Sequence, residues 1–150
     1  MSSTDDTQTR QMPAAVAITD TGKARQNNED RYALPPDLVP ASMRAARGSL
    51  YLVADGMGGH SAGEVASELA ARVIPERFYN DAGAPPEGET AFDVGAALKQ
   101  AIAEAAEGIR FEQMLTRERA QMGTTVVAAV IRGSQICIAN VGDSRAYRMR

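Results

Sequence analysis

The stretch LYLVADGMGGHSAGE, Leu50 to Glu64, contains the signals of a strand, a turn and a helix start in direct succession. Its apolar beginning, Leu50–Ala54, is typical of a buried strand, and Asp55 stands where that strand is expected to stop. Three glycines follow, and glycine adopts backbone angles that other residues avoid. An aspartate beside such a turn either hydrogen-bonds its own backbone or holds a cation, and both interpretations are kept here.

Two helices are predicted downstream of this turn. Ser61 and Glu64 have the S-x-x-E spacing of a capping box, so the first helix is expected to begin there and to kink or end at Pro75. Thr90 and Asp93 have a similar spacing and are expected to cap a second helix, which reaches about residue 117. Apolar residues of this second helix fall on one face: Val94, Leu98, Ala101, Ile102, Ala105 and Ile109.

The remaining pattern predicts strands and one excursion. Ala14–Asp20 and Arg31–Leu34 are read as strands, and the proline-rich segment Pro35–Gly48 is read as a surface loop. Thr124–Ile131 and Gln135–Val141 are apolar runs around a short polar turn, which is a hairpin signal. Runs that are apolar on both faces are typical of sheets covered on both sides. Together these elements predict a layered α+β sandwich.

Composition limits the class of protein. The chain has 150 residues, of which 44% are hydrophobic and 23% charged, so it is long and apolar enough for one folded domain. Its net charge of −3 disfavours binding to nucleic acid or to a membrane through bulk charge.

The ends and the single cysteine give expectations about organisation and location. Residues 1–13 are polar and are expected to be a disordered tail, so that folding starts near Ala14. No signal peptide is seen in this tail. Cys137 has no cysteine partner in the chain, which favours a reducing compartment. We therefore expect a cytoplasmic protein.

Carboxylates stand at the ends of two predicted strands. Glu29 and Asp30 directly precede one strand, and Asp55 follows another. If these strands are neighbours, three carboxylates converge, and their mutual repulsion is relieved by protonation or by a divalent cation. Oxygen ligands favour Mg²⁺ or Mn²⁺ over zinc. On spacing alone, solvated turn residues are the favoured interpretation, and only the order of the motifs along the chain changes this.

Four motifs occur in an order that resembles the metal-dependent serine/threonine phosphatases of the protein phosphatase 2C type, bacterial members above all. These motifs are Thr19–Asp30, Val53–Glu64, Met122–Thr125 and Asn140–Tyr147. The resemblance implies a four-layer α-β-β-α sandwich. The carboxy-terminal strands of that sandwich, and the later aspartates that complete its metal site, are not found in these residues. Residues 14–150 are therefore expected to be the amino-terminal part of a catalytic domain of this type.

The resemblance also implies a set of metal ligands. Asp55 matches the aspartate that bridges two divalent cations, Mn²⁺ or Mg²⁺, and the backbone carbonyl of Gly56 matches a ligand to one of them. Glu29 and Asp30 match the acidic pair that holds the ions or their waters. Asp143 matches an aspartate at a weaker third metal position, although Gly-Asp-Ser is also an ordinary turn.

Two further residues are candidates for contact with substrate. Arg25 matches the arginine that binds the substrate phosphate, for which its forked donors are suited. His60 is a candidate general acid for the leaving group. Some relatives carry their histidine directly after the Asp-Gly pair, where this chain has Met57, so the other interpretation is that His60 only shapes the turn.

The implied activity is hydrolysis of phosphoserine and phosphothreonine in proteins by a metal-bridging hydroxide, in opposition to a bacterial Ser/Thr kinase. The expected partners are phosphorylated proteins, with no nucleic acid and no membrane. The alternative is a non-catalytic module that binds phosphopeptides or cations. Because later ligands are missing, the 150-residue chain alone is expected to be inactive.

Overall fold

The computed structural model describes residues 14–23, 26–35, 39–58, 62–80 and 92–149. In these ranges an antiparallel sheet packs its buried face against two long helices. The α+β class predicted from the sequence is confirmed. The predicted disordered tail over 1–13 lies outside the described residues.

The sheet contains five strands in the order β1-β2-β4-β5, with β3 paired to the end of β2. All of these pairings are antiparallel. The predicted hairpin is confirmed, and Gly133 turns it with a φ of 62°. The strands are β1 (Asp30–Ala33), β2 (Ser49–Met57), β3 (Gly123–Thr124), β4 (Val126–Arg132) and β5 (Gln135–Val141).

Both predicted helices are present. The side chain of Asp93 caps the second one by accepting a 3.0 Å hydrogen bond from the backbone N–H of Ala96. The partner residues expected at the two caps, Ser61 and Thr90, lie outside the described residues. The helices are α1 (Ala41–Arg47), α2 (Ala62–Asn80) and α3 (Val94–Leu115), followed by a 3₁₀ turn (Arg117–Arg119).

The core lies between the sheet and the two long helices. Alternate residues of the two central strands point toward it, as the two-residue period of a strand requires. They meet small and aromatic side chains of α2 and the predicted apolar face of α3. The core residues include Leu50, Leu52, Ala54, Val126, Ala128, Val130, Ala70, Ile74, Phe78, Leu98, Ala101 and Ala105.

Three predictions about local structure are wrong. Residues 14–20 form no strand, and Val16 and Ile18 are 85% and 88% exposed, because no described strand pairs with them. Strand β2 does not stop at Ala54 but continues to Met57, because β3 pairs with its last residues. The proline-rich excursion contains the short helix α1, which begins after Pro40.

Pro75 does not end α2, which continues to Asn80. A proline inside a helix removes one backbone hydrogen bond. Here Pro75 is itself buried, and Phe78 and Tyr79, one turn later, are each 1% exposed. Burial of these large side chains favours continuation of the helix over the local preference of proline.

The opposite face of the sheet is only partly covered within the described residues, where residues 15–19 lie beside Tyr32 and Val53. Tyr32, Val53, Ile136 and Ile138 lie on this face and are 43 to 51% exposed. The expectation that the apolar hairpin is covered on both sides is therefore not met in this part of the chain. The side chains of β5 are the most exposed of the sheet, since β5 is an edge strand.

Tyr79 connects the end of α2 to the beginning of β2. Its hydroxyl donates to the carbonyl of Gly48 at 2.9 Å and accepts from the N–H of Leu50 at 2.9 Å. Burial raises the pKa of Tyr79 above its ordinary value, so the hydroxyl stays protonated and both hydrogen bonds persist at neutral pH.

Tyr79→Phe is expected to lower the free energy of unfolding by about 1 to 3 kcal/mol, because it leaves a buried N–H and a buried carbonyl without their partner. Urea denaturation measures this change. Tyr32→Phe is the control, because the Tyr32 side chain is 43% exposed and its substitution should change stability by less than about 0.5 kcal/mol. Equal effects of the two substitutions would contradict this role of Tyr79.

Candidate metal centre

Two carboxylates face each other across neighbouring strands. Strands β1 and β2 are antiparallel, and Asp30 lies directly opposite Asp55 in their register. Side chains of directly opposite residues lie on the same face, with Cβ atoms about 4.5 to 5.5 Å apart. Asp30 is half-buried and Asp55 is exposed, so both are accessible from solvent. The two strands are therefore neighbours, which was the condition for bringing these carboxylates together.

These carboxylates line a cleft of about 220 Å³. Every residue in its wall carries a carboxylate, an amide or a hydroxyl group. Oxygen-rich surroundings of this kind suit hard divalent cations and offer nothing to soft metals. The lining residues are Asp20, Thr21, Asn27, Asn28, Glu29, Asp30 and Asp55.

Glu29 contributes to the cleft but directs its carboxylate elsewhere. Glu29 is 9% exposed, and its Oε2 lies 2.8 Å from the point where a Cβ on Gly63 would stand. Its carboxylate is thus packed against the beginning of α2. Across the described part of the chain, no three carboxylate, imidazole or thiol side chains come together closely enough to hold an ion. The predicted convergence of three carboxylates is therefore met only in part: all three residues line the cleft, but they form no three-carboxylate ion site, and the carboxylate of Glu29 packs against α2.

The backbone at Asp55 is held from two sides. The carbonyl of Asp55 accepts hydrogen bonds from the N–H of Thr125 at 2.9 Å and from the hydroxyl of Thr124 at 3.0 Å. The next residue, Gly56, donates its N–H to the carbonyl of Glu29 at 3.2 Å. Sequence reasoning treated the two threonines as the start of a core strand and did not predict their hydrogen bonds to the carbonyl of Asp55. The signal available was their place in the Met-Gly-Thr-Thr motif.

Gly56 permits a close approach between the backbone of β2 and the beginning of α2, which a residue with a Cβ would prevent. A Cβ at this position would stand 2.2 Å from the carbonyl oxygen of Gly63 and 2.7 Å from that of Glu29. Such distances are far inside van der Waals contact, so the beginning of α2 rests directly on the backbone of β2. This contact fixes the carbonyl-bearing peptide that follows Asp55.

The segment containing Asp143 is linked to the same strands. The hydroxyl of Ser144 lies 2.6 Å from the hydroxyl of Thr125. The backbone carbonyl of Ser144 accepts a 2.9 Å hydrogen bond from the side-chain amide of Asn140. Gly142 has a φ of 100°, which glycine adopts easily. Asp143 is exposed in this bend. Its turn is therefore present, and its role as a ligand to a third ion stays a prediction.

The two candidate substrate-binding residues, Arg25 and His60, lie outside the described residues, and so their predicted roles stay predictions. The flanking residues are described. Asp20 accepts a 2.6 Å hydrogen bond from the N–H of Gly22, and Asn28 donates its side-chain amide to the hydroxyl of Thr19 at 2.8 Å. These contacts place both ends of the loop that contains Arg25 beside the acidic cleft.

Arg31 is a member of the site that sequence reasoning did not identify. It donates to the carbonyls of Asn28 and Asp30 and to the carboxylate of Glu64 in the first turn of α2. Glu64, expected in a capping box, is thus paired across the interface with β1. An Arg directly after the acidic pair was the only available sequence signal.

A model of the family described as protein phosphatase 2C matches residues 14–150. The chain belongs to the protein phosphatase 2C family. Among the helices that the structure describes, none has both the length and the apolar character needed to cross a bilayer.

Relatives of this protein phosphatase 2C chain are bacterial. It is 37% identical over 134 residues to the serine/threonine phosphatase stp of Listeria monocytogenes, an alignment that covers 88% of this chain and 48% of the relative. It is 33% identical over 135 residues to the serine/threonine protein phosphatase PstP of Mycobacterium tuberculosis, covering 90% of this chain and 22% of the relative. The chain thus spans about half of the Listeria protein and less of PstP.

Solved structures agree with this assignment. The catalytic domain of PstP in complex with two manganese ions superimposes with a TM-score of 0.62 at 31% identity, covering 84% of this chain and 46% of that one. Stp1 from Staphylococcus aureus gives a TM-score of 0.66 at 30% identity, covering 91% and 51%. The fold is therefore of the protein phosphatase 2C type, as the motifs predicted.

The residues present are chemically suited to the divalent cations that the family implies. Asp30 and Asp55 lie opposite each other on paired strands. Gly56 directly follows Asp55, and its backbone contacts Glu29 and Gly63. Two negative charges this close favour a bound cation. The donor set fits Mn²⁺ or Mg²⁺ in part, and the unfilled positions are suited to water.

Gly56→Ala is expected to destabilise the protein by about 1 to 3 kcal/mol or to prevent folding, because its methyl group would overlap the carbonyl of Gly63. Thermal unfolding measures the effect. Gly108→Ala in α3 is the matched control, since its added methyl meets nothing within 4 Å and alanine favours a helix by about 1 kcal/mol. A Gly56→Ala protein as stable as the wild type would disprove the close approach.

Proposed function

We propose that the protein containing these residues is a metal-dependent phosphatase that hydrolyses phosphoserine and phosphothreonine in proteins. The observation that supports this most directly is the pairing of Asp30 with Asp55 at an oxygen-lined cleft in a protein phosphatase 2C chain. The relatives named above carry serine/threonine phosphatase in their names. Phosphorylated proteins, supplied by a Ser/Thr kinase, are therefore the proposed substrates.

The chain's own residues are assigned as follows. Asp55 is proposed to bind both cations, Asp30 to bind one ion or its water, and the carbonyl of Gly56 to complete one ligand set. Divalent cations held together in this way lower the pKa of bound water and neutralise phosphate charge. The hydrogen bonds on both sides of Asp55 fix the backbone from which its carboxylate extends. Such preorganisation reduces the cost of assembling the site.

Glu29 has a different proposed role in view of its position. Its carboxylate is directed at the first turn of α2, where the backbone N–H groups of a helix favour negative charge. We propose that it acts on the site through bound water or through the position of α2, as the family resemblance allows. Asp143 is proposed as a ligand of a weaker third ion. Arg25 is proposed to bind the substrate phosphate through its forked N–H donors.

A second candidate is a non-catalytic module that binds cations or phosphopeptides. One observation favours it: within the described ranges no more than two carboxylates face each other at the cleft, and no group of three ligand side chains forms. The same observation is the reason to propose that residues 1–150 alone are inactive. Mn²⁺-dependent hydrolysis of an aryl phosphate by the full-length gene product separates the candidates. Binding of Mn²⁺ without hydrolysis would favour the module.

Asp55→Asn in the full-length gene product is expected to abolish aryl phosphate hydrolysis and to weaken Mn²⁺ binding, because one amide replaces the charge proposed to serve two ions. Calorimetric titration with Mn²⁺ and a steady-state assay measure the two effects. Glu76→Gln is the control, since Glu76 lies on the exposed surface of α2 and should leave both unchanged. Full activity of Asp55→Asn would eliminate the proposed metal role.

Arg25→Ala is expected to raise KM more than it lowers kcat, because a phosphate-binding side chain that holds substrate and transition state alike contributes mainly to binding. Initial-rate kinetics at saturating Mn²⁺ measure both constants. Lys23→Ala is the control: it removes a positive charge from the same loop at an exposed position. If the two variants change KM equally, general attraction by positive charge explains the effect and specific binding by Arg25 does not.

A further inference from the structure

Arg31 reaches three acceptors on two different elements. Its Nη1 donates to the backbone carbonyl of Asn28 at 3.0 Å and to that of Asp30 at 2.8 Å. Its Nη2 donates to Oε1 of Glu64 at 2.5 Å. The guanidinium thus joins the acidic segment before β1 to the first turn of α2.

These contacts complete the restraint of the segment Asn28–Asp30. The carbonyl of Glu29, between the two that Arg31 holds, accepts from the N–H of Gly56. The side chain of Asn28 in addition accepts from the N–H of Asp30 at 3.0 Å. Each of the three successive carbonyls is therefore bound by a donor from a neighbouring residue or strand. A short segment held at every carbonyl has little freedom to alter the direction of its side chains.

Arg31 and Asp30 point to opposite faces of β1. Adjacent residues of a strand alternate, so Asp30 faces the cleft while Arg31 faces α2. The guanidinium therefore binds the backbone carbonyls of the acidic segment from the face of β1 opposite to the cleft. The side chains of Arg31 and Glu64 are 30% and 37% exposed, and an ion pair with this exposure adds little stability by its charge alone.

We propose that Arg31 is a positioning residue of the metal centre, which sets the placement of Asp30 relative to Asp55 by anchoring the acidic segment to α2. This inference rests on the proposed function, since it concerns affinity for the proposed cations. Groups that orient metal ligands without touching the metal commonly change affinity by about 10- to 100-fold when removed.

The direction in which Mn²⁺ affinity changes when Arg31 is removed distinguishes a positioning role from an effect of its charge. Arg31 carries a positive charge close to a site for cations, and its removal by electrostatics alone would strengthen Mn²⁺ binding. Loss of positioning weakens it. Lysine preserves the charge but has no planar fork to hold two carbonyls and a carboxylate together, so Arg31→Lys restores little if geometry is what matters.

The experiment measures Mn²⁺ dissociation constants by electron paramagnetic resonance on the full-length gene product after removal of bound metal. Arg31→Ala is expected to weaken binding by about tenfold or more, and Arg31→Lys by nearly as much, since lysine restores the charge but little of the geometry. Arg72→Ala is the matched control, because it removes an arginine of another ion pair, with Glu76 on the exposed face of α2, and should leave binding unchanged. Glu64→Gln retains an acceptor for Arg31 and should reduce affinity less than Glu64→Ala.

A second measurement does not depend on metal. Hydrogen exchange in the metal-free protein should be faster at the Gly56 amide in Arg31→Ala and in Arg31→Lys, because the carbonyl of Glu29 is then less firmly placed. If Arg31→Ala does not fold, the lysine variant provides both measurements.

The outcomes separate the two proposals. A wild-type protein that binds no Mn²⁺ overturns the proposed function and this inference with it. A wild type that binds Mn²⁺ together with an Arg31→Ala protein that binds it equally well or more tightly overturns the positioning role alone. Full recovery in Arg31→Lys of both affinity and amide protection also overturns it, since positive charge would then suffice.

Discussion

The contact between the backbone of Gly56 and the beginning of α2 is the constraint on which the rest of the structure depends. No Cβ fits at Gly56, because the carbonyl of Gly63 would stand 2.2 Å from it. Strand and helix therefore meet backbone to backbone, and the direction of α2 across the sheet follows from that contact. The core forms where α2 then lies over the inward side chains of β2 and β4.

The same contact shapes the chemistry of the cleft. It holds the peptide after Asp55 on one side, while Thr124 and Thr125 hold the carbonyl of Asp55 on the other. Because β2 continues through this region as a paired strand, Asp55 is directed by the pleat of a sheet, and Asp30 is brought opposite to it by register. A site built on paired strands is better fixed than one built on a flexible turn.

Charge in this region is balanced by structure as well as by any bound cation. The negative charge of Glu29 is placed at the first turn of α2, and Glu64 in that turn is paired with Arg31. Asp30 and Asp55 remain as the two carboxylates that face each other. The partly exposed apolar face of the sheet begins beside them, with Tyr32 and Val53 as the next pair on the same face.

Sequence by itself determined the elements whose signals are local. The β4–β5 hairpin, the apolar face and approximate end of α3, and the start of α2 after the glycines were predicted because periodicity and turn residues act within a few positions. The family and the type of fold followed from the order of four motifs. The proximity of Asp30 and Asp55 was stated only on the condition that their strands are neighbours, and the register of β1 and β2 meets that condition.

Only the tertiary structure decided features that depend on partners distant in the chain. Strand β2 extends past Ala54 because β3 pairs with it, and α2 continues past Pro75 while Phe78 and Tyr79 are buried. Residues 14–20 have strand-like composition but no described strand to pair with. Glu29 turns toward Gly63, and Arg31 reaches Glu64 across 33 positions of sequence. Pairing, burial and packing between such distant residues are set by the assembled fold, and no local pattern of residues specifies them.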